Sequence, residues 1–261
     1  MSERPTALIT GASGGLGLEF AKLLAERGHD LVLVARSGSA MEELAQYCEE
    51  RFGVAATVLV KDLSLDAAAG QVADQVAQRG IDVDVLINDA GFTQRSPFAT
   101  SDERVMLALL RVNMEALTVL SRRFLPAMIA RGRGRIVNLA SNAAFQPGPG
   151  MASDRASKSF VLNLSIALAE EVRGTGVTVT ALCPGPTATD FQARAAMRDA
   201  KLVRGKRPPS AADVAEWGWA KAERGVPFAV HGARRRAIVF GTRLLPRSVA
   251  AWLAAGANER V

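Results

Sequence analysis

The chain has 261 residues, of which 49% are hydrophobic and 22% charged; this balance excludes a wholly disordered protein and fits one α/β domain. Two cysteines, Cys48 and Cys183, are too few for a disulfide framework, and with His29 and His231 they show no metal-ligand spacing. We therefore expect no metal site and a reducing, cytoplasmic location. No apolar run is long enough for a transmembrane helix, and residues 1–5 lack the pattern of a signal peptide.

The net charge of +6 is concentrated in the last quarter of the chain. A basic region of this kind attracts nucleic acid, anionic membranes or phosphate-bearing ligands. Aromatic residues make up only 5% of the chain, and no stacking platform for bases is visible. We therefore expect small-molecule ligands and neither a nucleic-acid partner nor membrane insertion.

Short apolar runs alternate with helical periods along the chain. The predicted strands, in chain order, are Ala7–Thr10, Leu31–Ala35, Ala55–Val60, Val83–Asn88, Arg135–Ala140, Val177–Cys183 and Ala237–Phe240. The predicted helices between them are Leu16–Arg27, Ala40–Arg51, Leu65–Gln78, Asp102–Arg131, Ala152–Arg173 and Ala211–Glu223. This order predicts a single-domain, Rossmann-type doubly wound parallel sheet of about seven strands, with helices on both faces.

Three irregular segments interrupt this pattern. Gln146–Gly150 predicts a loop between a strand and a helix. Residues 188–209 predict a mobile flap over the substrate, and Arg234–Arg236 predict a surface turn before the last strand.

A glycine-rich turn separates the first predicted strand from the first predicted helix. Glycine permits a tight turn and a close approach of backbone to phosphate, while the helix N-terminus attracts the negative charge of a pyrophosphate. The sequence therefore predicts dinucleotide binding by Gly11, Ser13, Gly14, Gly15, Leu16 and Gly17.

The residue after the second predicted strand indicates which dinucleotide binds. A carboxylate at this position would hold the ribose hydroxyls of NAD, but the chain has Arg36, whose guanidinium suits a 2′-phosphate. We therefore predict NADP(H) in preference to NAD(H).

Further motifs are spread along the chain. They are Lys61-Asp62-Leu63, Asn88-Asp89-Ala90-Gly91, Arg111-Val-Asn113, Ile136-Val-Asn-Leu-Ala-Ser141, Ala156-Ser157-Lys158 and Pro184-Gly185-Pro-Thr187-Ala-Thr189. Together with the glycine-rich turn, they resemble the short-chain dehydrogenase/reductase family over nearly the whole chain. The resemblance implies further cofactor contacts from Asp62, Leu63, Asn88, Ala90, Gly91, Lys158, Pro184, Gly185, Thr187 and Thr189. It also implies a homodimer or homotetramer.

The same resemblance implies catalytic roles for three residues. In the family, the serine at Ser141 fixes the carbonyl oxygen, the lysine at Lys158 holds the ribose, and the asparagine at Asn113 orients a water. The resemblance places the family's proton-donating tyrosine at position 154, where this chain has Asp154. The only tyrosine of the chain, Tyr47, is expected to be a packing residue. The family's second asparagine in the motif after the fourth strand is likewise replaced by aspartate.

Asp154 changes the expected proton relay. An aspartate is shorter than a tyrosine, and its reference pKa is about 3.9 rather than about 10. Asp154 and Lys158 are spaced i,i+4 on a predicted helix, so their attraction favours the ionised carboxylate, whereas burial would favour the protonated form. The sequence leaves both outcomes open.

Four functions remain open at this point. The first is an NADP(H)-dependent oxidoreductase that moves a hydride between nicotinamide and a carbonyl or secondary alcohol by an altered proton relay. The others are a non-redox isomerase, lyase or cyclase with Asp154 as its base, a catalytically silent cofactor-binding protein, and a reductase disabled by an introduced aspartate. The residues expected to border the pocket suggest an apolar substrate; they are Phe92, Thr93, Phe145, Gln146, Met151, Phe191 and Met197.

Overall fold

The computed structural model describes residues 4–188, 208–243, 246 and 248–249. Their strands are β1 (Thr6–Thr10), β2 (Asp30–Ala35), β3 (Ala56–Val60), β4 (Val85–Asn88), β5 (Gly134–Leu139), β6 (Val177–Cys183) and β7 (Phe228–Val230). Their helices are α1 (Gly15–Glu26), α2 (Gly38–Phe52), α3 (Ala68–Gln78), α4 (Glu103–Leu110), α5 (Leu117–Arg131), α6 (Ala152–Glu171), α7 (Ala211–Glu223) and α8 (Ala233–Arg243). A π-helical segment, Arg111–Ala116, joins α4 to α5.

The strands form one parallel sheet in the order β3-β2-β1-β4-β5-β6-β7. The chain builds outward from β1 to β3 and then returns to the other side of β1, so the strand order reverses between β1 and β4. Ligands of open α/β sheets bind in the crevice at the carboxyl ends of the strands where this reversal occurs. The predicted doubly wound α/β fold is therefore confirmed, and it places the candidate site beside β1 and β4.

Apolar side chains cover the sheet on both faces. One core packs α1, α2 and α7 against the sheet, and includes the fully buried Phe20 and Trp219. The other packs α3, α5 and the end of α6 against the opposite face, and includes Leu86 and Leu120. Because both faces are covered, the strands are continuous apolar runs, which is why most of them can be identified from sequence.

The seventh predicted strand is wrong. Ala237–Phe240 lies in α8, and the last strand of the sheet is Phe228–Val230. In this apolar run only Val239 is buried, whereas Ile238 and Phe240 are exposed, as expected when one face of a helix meets the core. The predicted surface turn Arg234–Arg236 is wrong for the same reason, since these residues belong to α8.

Two helix predictions need correction. The third helix begins at Ala68 rather than Leu65, because a turn follows β3, Leu65 is exposed, and Ala67 adopts a left-handed φ of 56°. The predicted helix Asp102–Arg131 contains the π-helical segment, which apolar periodicity does not reveal. Of the predicted flap 188–209, residues 189–207 lie outside the described residues.

Candidate active site

The glycine-rich turn joins β1 to α1 at the carboxyl edge of the sheet. Gly11 and Gly15 adopt left-handed φ angles of 74° and 61°, which favour glycine. A Cβ on Gly17 would lie 2.5 Å from the carbonyl oxygen of Gly11, so the helix approaches the turn more closely than any side chain allows. Apart from its chain neighbours, no described atom lies within 4 Å of a Cβ built on Gly14, and Gly14, as the N-cap residue, has no side chain to cap α1.

These features fit the pyrophosphate of a dinucleotide. Because Gly14 has no capping side chain, the backbone N–H groups at the start of α1 are able to bind an anion. The open face of Gly14 leaves room for it. Among the other predicted contacts on the turn, Ser13 is half-buried and Leu16 packs against the core below.

Arg36 and Asp62 follow neighbouring strands at the same edge. Arg36 is exposed directly after β2, and the carboxylate of Asp62 accepts hydrogen bonds from the backbone N–H and hydroxyl of Ser64 at 2.9 and 2.7 Å. Burial alone raises the pKa of Asp62, but the Ser64 hydrogen bonds and the Arg36 charge outweigh it and leave the pKa below its ordinary value. Leu63 is buried in the core and holds this segment in place.

Thr10 ties the glycine-rich turn to the turn after β4. Its hydroxyl oxygen accepts hydrogen bonds from the backbone N–H groups of Asp89 and Ala90 at 3.1 and 3.0 Å. As a result, a Cβ on Gly11 would lie only 3.0 Å from the Ala90 nitrogen. The sequence motif contains Thr10, but its partners lie 79 and 80 residues away, so its role was not predicted.

The side chain of Asn88 belongs to a buried hydrogen-bond network and does not face the glycine-rich turn. Its amide donates to Asn138 Oδ1 at 2.8 Å and to Ser121 Oγ at 3.3 Å, and Asn138 Nδ2 donates to Ser165 Oγ at 2.9 Å. The chain of hydrogen bonds runs from α5 through β4 and β5 to α6. Asn88 therefore fixes the strand ends that carry the site.

Asn113 lies in the π-helical segment and clamps the loop after β4. Its side chain exchanges two hydrogen bonds of 3.1 Å with the backbone of Phe92, and its Nδ2 also donates to Ser157 Oγ at 3.1 Å. The Ser157 hydroxyl in turn donates to the Asp154 carbonyl oxygen at 2.7 Å. π-helical turns often mark functional sites, and this one links two candidate catalytic helices.

Lys158 reaches from α6 to the ends of β4 and β5. Its Nζ donates to the Leu139 carbonyl oxygen at 2.9 Å and lies 3.6 Å from a Cβ built on Gly91. Burial lowers the pKa of Lys158, while the Asp154 and Asp89 carboxylates and the Cys183 thiol act in the opposite direction.

Asp154 is buried on the first turn of α6, with only 6% of its surface exposed. Burial raises its pKa, although Lys158, the Thr93 hydroxyl and Arg155 each favour the ionised form. Burial therefore outweighs the attraction that the i,i+4 spacing indicates, and the pKa of Asp154 lies above its ordinary value.

Asp89 is a second carboxyl group with a shifted pKa. Burial raises its pKa to about 7, against the opposing effects of Lys158 and a hydrogen bond from the Gly17 N–H group. The Gly17 bond places this carboxyl group directly beneath the glycine-rich turn. A group with this pKa changes its charge near neutral pH, at the edge of the cofactor cradle.

Ser141 caps the short 3-10 helix Asn142–Phe145. Its hydroxyl accepts from the Ala143 N–H group at 3.1 Å and lies 3.3 Å from Asn142 Oδ1. The Asn142 N–H group donates to the Pro184 carbonyl oxygen at 3.0 Å, which joins Ser141 to the segment after β6.

The segment after β6 begins with Pro184. Thr187 Oγ1 donates to the Gly185 carbonyl oxygen at 3.0 Å, and the guanidinium of Arg235 lies against Gly185, where a Cβ would be 2.3 Å from its central carbon. Sequence reasoning did not anticipate Arg235 at this place. Thr189 lies outside the described residues.

The predicted pocket residues that the structure describes lie close to Asp154 in the chain or in the loop after β4. Phe92, Thr93, Phe145 and Gln146 are half-buried, and Met151 is buried. Phe191 and Met197 lie outside the described residues. None of the helices in the described part of the chain is long and apolar enough to cross a membrane, and no cluster of metal-ligating side chains occurs there.

Comparisons with known proteins agree with this geometry. Residues 5–199 match the family model described as short chain dehydrogenase. The chain is 35% identical over 179 residues to a very-long-chain 3-oxoacyl-CoA reductase of Pyrenophora tritici-repentis, a match that covers 66% of this chain and 52% of that protein. It is 37% identical over 187 residues to galactitol 2-dehydrogenase (L-tagatose-forming) of Cereibacter sphaeroides, covering 71% of this chain and 72% of the relative.

Solved structures give the same result. A short-chain dehydrogenase from Sphingobium yanoikuyae in complex with NADPH superposes with a TM-score of 0.81 at 33% identity, covering 92% of this chain and 93% of that one. The reductase of Pyrenophora is matched over only about half of its length. The chain belongs to the short-chain dehydrogenase/reductase family.

Proposed function

We propose that the chain is an NADP(H)-dependent oxidoreductase that acts on the carbonyl or secondary alcohol of a largely apolar small molecule. The observation that carries the proposal is the convergence of Lys158, Asn113 and Gly91 beside the glycine-rich turn, with the Lys158 Nζ 3.6 Å from a Cβ built on Gly91. The names of several relatives, which are reductases or dehydrogenases, support the same reaction class.

The cofactor is held by groups on two sides of the strand-order reversal. The first turn of α1 would bind the pyrophosphate, Arg36 the 2′-phosphate, and Lys158 the ribose next to the nicotinamide. When bound, the nicotinamide supplies or accepts the hydride. The exposed guanidinium of Arg36 supports NADP(H), because a planar cation matches the 2′-phosphate of this cofactor. A carboxylate side chain at position 36 would repel the same phosphate.

The proton relay of this chain would depend on Asp154. Its buried carboxyl group has a raised pKa, so it can hold a proton closer to neutral pH than an exposed aspartate. During reduction, the carbonyl carbon gains the hydride and the oxygen gains this proton, directly or through a water. Ser141 would hold the same oxygen. Tyr47 does not replace the absent tyrosine, because it lies on α2 and packs against Phe52.

Cofactor binding tests the first part of the proposal. We expect NADPH to bind with a clear preference over NADH, and Arg36→Ala to weaken NADPH binding by about 10–100-fold with little change for NADH, since it removes charge-assisted hydrogen bonds to one phosphate. A fluorescence titration measures both constants. Arg51→Ala is the matched control, because Arg51 lies in the last turn of α2, the helix that begins just after Arg36. Equal or tighter binding of NADH would refute the assignment.

Restoring the family's tyrosine tests the relay. Asp154→Tyr is expected to raise the rate of ketone reduction, because tyrosine reaches farther than aspartate, by less than the full contribution of about 10²–10⁴-fold that a positioned general acid makes. Asp154→Asn keeps the size but cannot give up a proton, so it should lower the rate. A tyrosine variant with no gain in rate would mean that the surrounding pocket does not support reduction.

The raised pKa of Asp154 also favours a second candidate function. A carboxylate whose pKa lies above its ordinary value is a stronger base, so Asp154 suits proton abstraction in an isomerase, lyase or cyclase. Product formation without consumption of NADPH would identify that function, and strict one-to-one consumption would exclude it. Binding of NADPH with no turnover of any kind would instead indicate a silent or disabled protein.

Two properties of the proposed enzyme remain expectations. The location in the cytoplasm and the assembly into a homodimer or homotetramer follow from the cysteine content and the family resemblance. Light scattering of the purified protein at several concentrations would test the assembly.

A further inference from the structure

A cavity lies at the amino edge of the sheet, opposite the candidate active site. Its volume is about 280 Å³, and its lining includes Pro5, His29, Asp84, Val85, Arg133 and Arg135. These residues stand at or next to the starts of β1, β2, β4 and β5. A strand rises about 3.3 Å per residue, so the length of β5 separates this cavity from Ser141 by about 20 Å. The cavity therefore belongs to a different site.

The charges around this cavity are not balanced. Arg131 Nη1 pairs with Asp82 Oδ1 at 2.9 Å, and Arg133 Nε pairs with Asp84 Oδ1 at 3.2 Å. Asp84 Oδ2 also accepts the Thr6 N–H group at 3.1 Å, so its carboxylate is satisfied. The guanidinium of Arg135 forms no ion pair or hydrogen bond with a described residue, and its buried Nε lacks an acceptor among them.

An aromatic cluster holds Arg135 in place. The guanidinium carbon lies 5.9 Å from the centre of the Trp219 ring, which is 2% exposed, and His29 packs edge-on against the same ring at 5.9 Å. This cation–π contact holds the guanidinium near the ring and uses none of its N–H donors, which remain able to bind an acceptor. Burial lowers the pKa of His29, so the ring is neutral at pH 7 and the unpaired cation of the cavity is Arg135.

We propose that this cavity is a binding site for a small organic monocarboxylate, with Arg135 as the carboxylate-binding residue. The planar guanidinium edge matches a carboxylate by two parallel hydrogen bonds. Pro5, which is exposed, provides an apolar contact for the body of the ligand, and the edge of the buried Val85 lies beside it. The nearby Asp84 carboxylate repels anions, and it repels a phosphate dianion more strongly than a monocarboxylate. The volume of the cavity lies near the lower limit of small-molecule pockets, so the ligand must be small.

The test uses a pair of probes of equal shape. Fluorine NMR follows the binding of fluorophenylacetate and of its uncharged amide, fluorophenylacetamide, to the unmodified full chain. The acid is expected to bind at least about tenfold more tightly than the amide, because only the acid forms charge-assisted bonds with Arg135. Equal binding of the two probes overturns the proposal without any variant.

Substitutions then locate the site. Arg135→Ala should weaken binding of the acid to the level of the amide, and Arg135→Lys should give an intermediate affinity, because it keeps the charge and loses the planar edge. Arg104→Ala, an exposed arginine on α4, is the control and should change nothing. Unchanged binding by Arg135→Ala would place the acid elsewhere, including the active site, and overturn the proposal. Equal displacement of the probe by inorganic phosphate would overturn the monocarboxylate assignment.

Discussion

The two edges of the sheet handle charge in opposite ways. At the amino edge, Arg131 and Arg133 lie within hydrogen-bonding distance of Asp82 and Asp84. At the carboxyl edge, Lys158 bonds to a backbone carbonyl and forms no ion pair with a carboxylate in the described part of the chain, although two carboxyl groups lie near enough to affect its pKa. The first arrangement pairs each of these two arginines with a carboxylate and, among the described residues, leaves only the neighbouring Arg135 without one, whereas the second keeps buried carboxyl and ammonium groups apart.

This difference separates stability from chemistry. A direct ion pair fixes both partners in their charged forms and links two parts of the fold. Buried groups that are held apart have shifted pKa values, and such groups are typical of functional sites. We therefore propose that the amino-edge aspartates act mainly in stability and that Lys158, Asp154 and Asp89 act mainly in function.

Removing Lys158 should give the largest effect. Lys158→Met is expected to lower the rate of cofactor-dependent turnover by about 10²–10⁴-fold, because the ribose contact and the cation near Asp154 are both lost. Steady-state kinetics with NADPH measure the change. Lys22→Met, which removes a lysine from α1 that pairs with Glu19, should leave the rate unchanged. Equal turnover rates for the two variants would show that Lys158 has no role in catalysis.

Asp89→Asn should stabilise the fold in a pH-dependent way. Since the pKa of Asp89 is about 7 in the folded chain and about 3.8 in its ordinary state, the folded state binds this proton more tightly, and stability falls as pH rises through that window. The gain from Asp89→Asn should be near zero below pH 4 and reach at most about 4 kcal/mol above pH 7. Thermal unfolding across this range measures it.

Asp62→Asn provides the opposite control for that series. The pKa of Asp62 is lowered, so its ionised form stabilises the fold above the ordinary pKa, and this contribution is lost as pH falls. Asp62→Asn should therefore destabilise the protein at neutral pH. The same pH trend in both variants would contradict the burial argument for Asp89.

Asp84→Ala should give a smaller loss of stability and no direct effect on cofactor binding. It leaves Arg133 and the Thr6 N–H group without their acceptor, at an expected cost of about 2–3 kcal/mol in the free energy of unfolding. Glu170→Ala breaks an exposed i,i+3 pair and should cost less than about 0.5 kcal/mol. Urea denaturation compares the two. A large loss of NADPH affinity in Asp84→Ala would contradict the separation of the two edges.

Local patterns were sufficient to predict much of the fold. β1, the glycine-rich turn and α1 are contiguous, so their spacing alone predicts their structure, whereas the close approach of Gly17 to Gly11 appears only in the folded chain. The error at Ala237–Phe240 arose because four apolar residues in a row fit a buried strand as well as a helix. The burial of Val239 alone settles this, and burial is a tertiary property.

The residues of the candidate site were predicted from motifs, and the structure brings several of them together, but the direction of their pKa shifts was not predicted. The spacing of Asp154 and Lys158 indicates attraction, while the desolvation that raises the pKa of Asp154 comes from the surrounding fold. Likewise, Asn88 and Thr10 could be marked as motif residues, but their hydrogen bonds join segments 33 to 80 residues apart. Such partners are visible only after the strands have been placed side by side.

Because the π-helical segment Arg111–Ala116 positions Asn113, the contacts of this side chain depend on the number of residues in the segment. A π-helical turn holds one residue more than an α-helical turn, so deleting one residue there would restore regular α-helical hydrogen bonds and turn the side chains within the segment by about 100° relative to the flanking helices. Asn113 could then not hold Phe92 and Ser157 while Leu117 and Leu120 kept their buried positions. The chain therefore accepts substitutions along the exposed side of this helix far more readily than a change in its length.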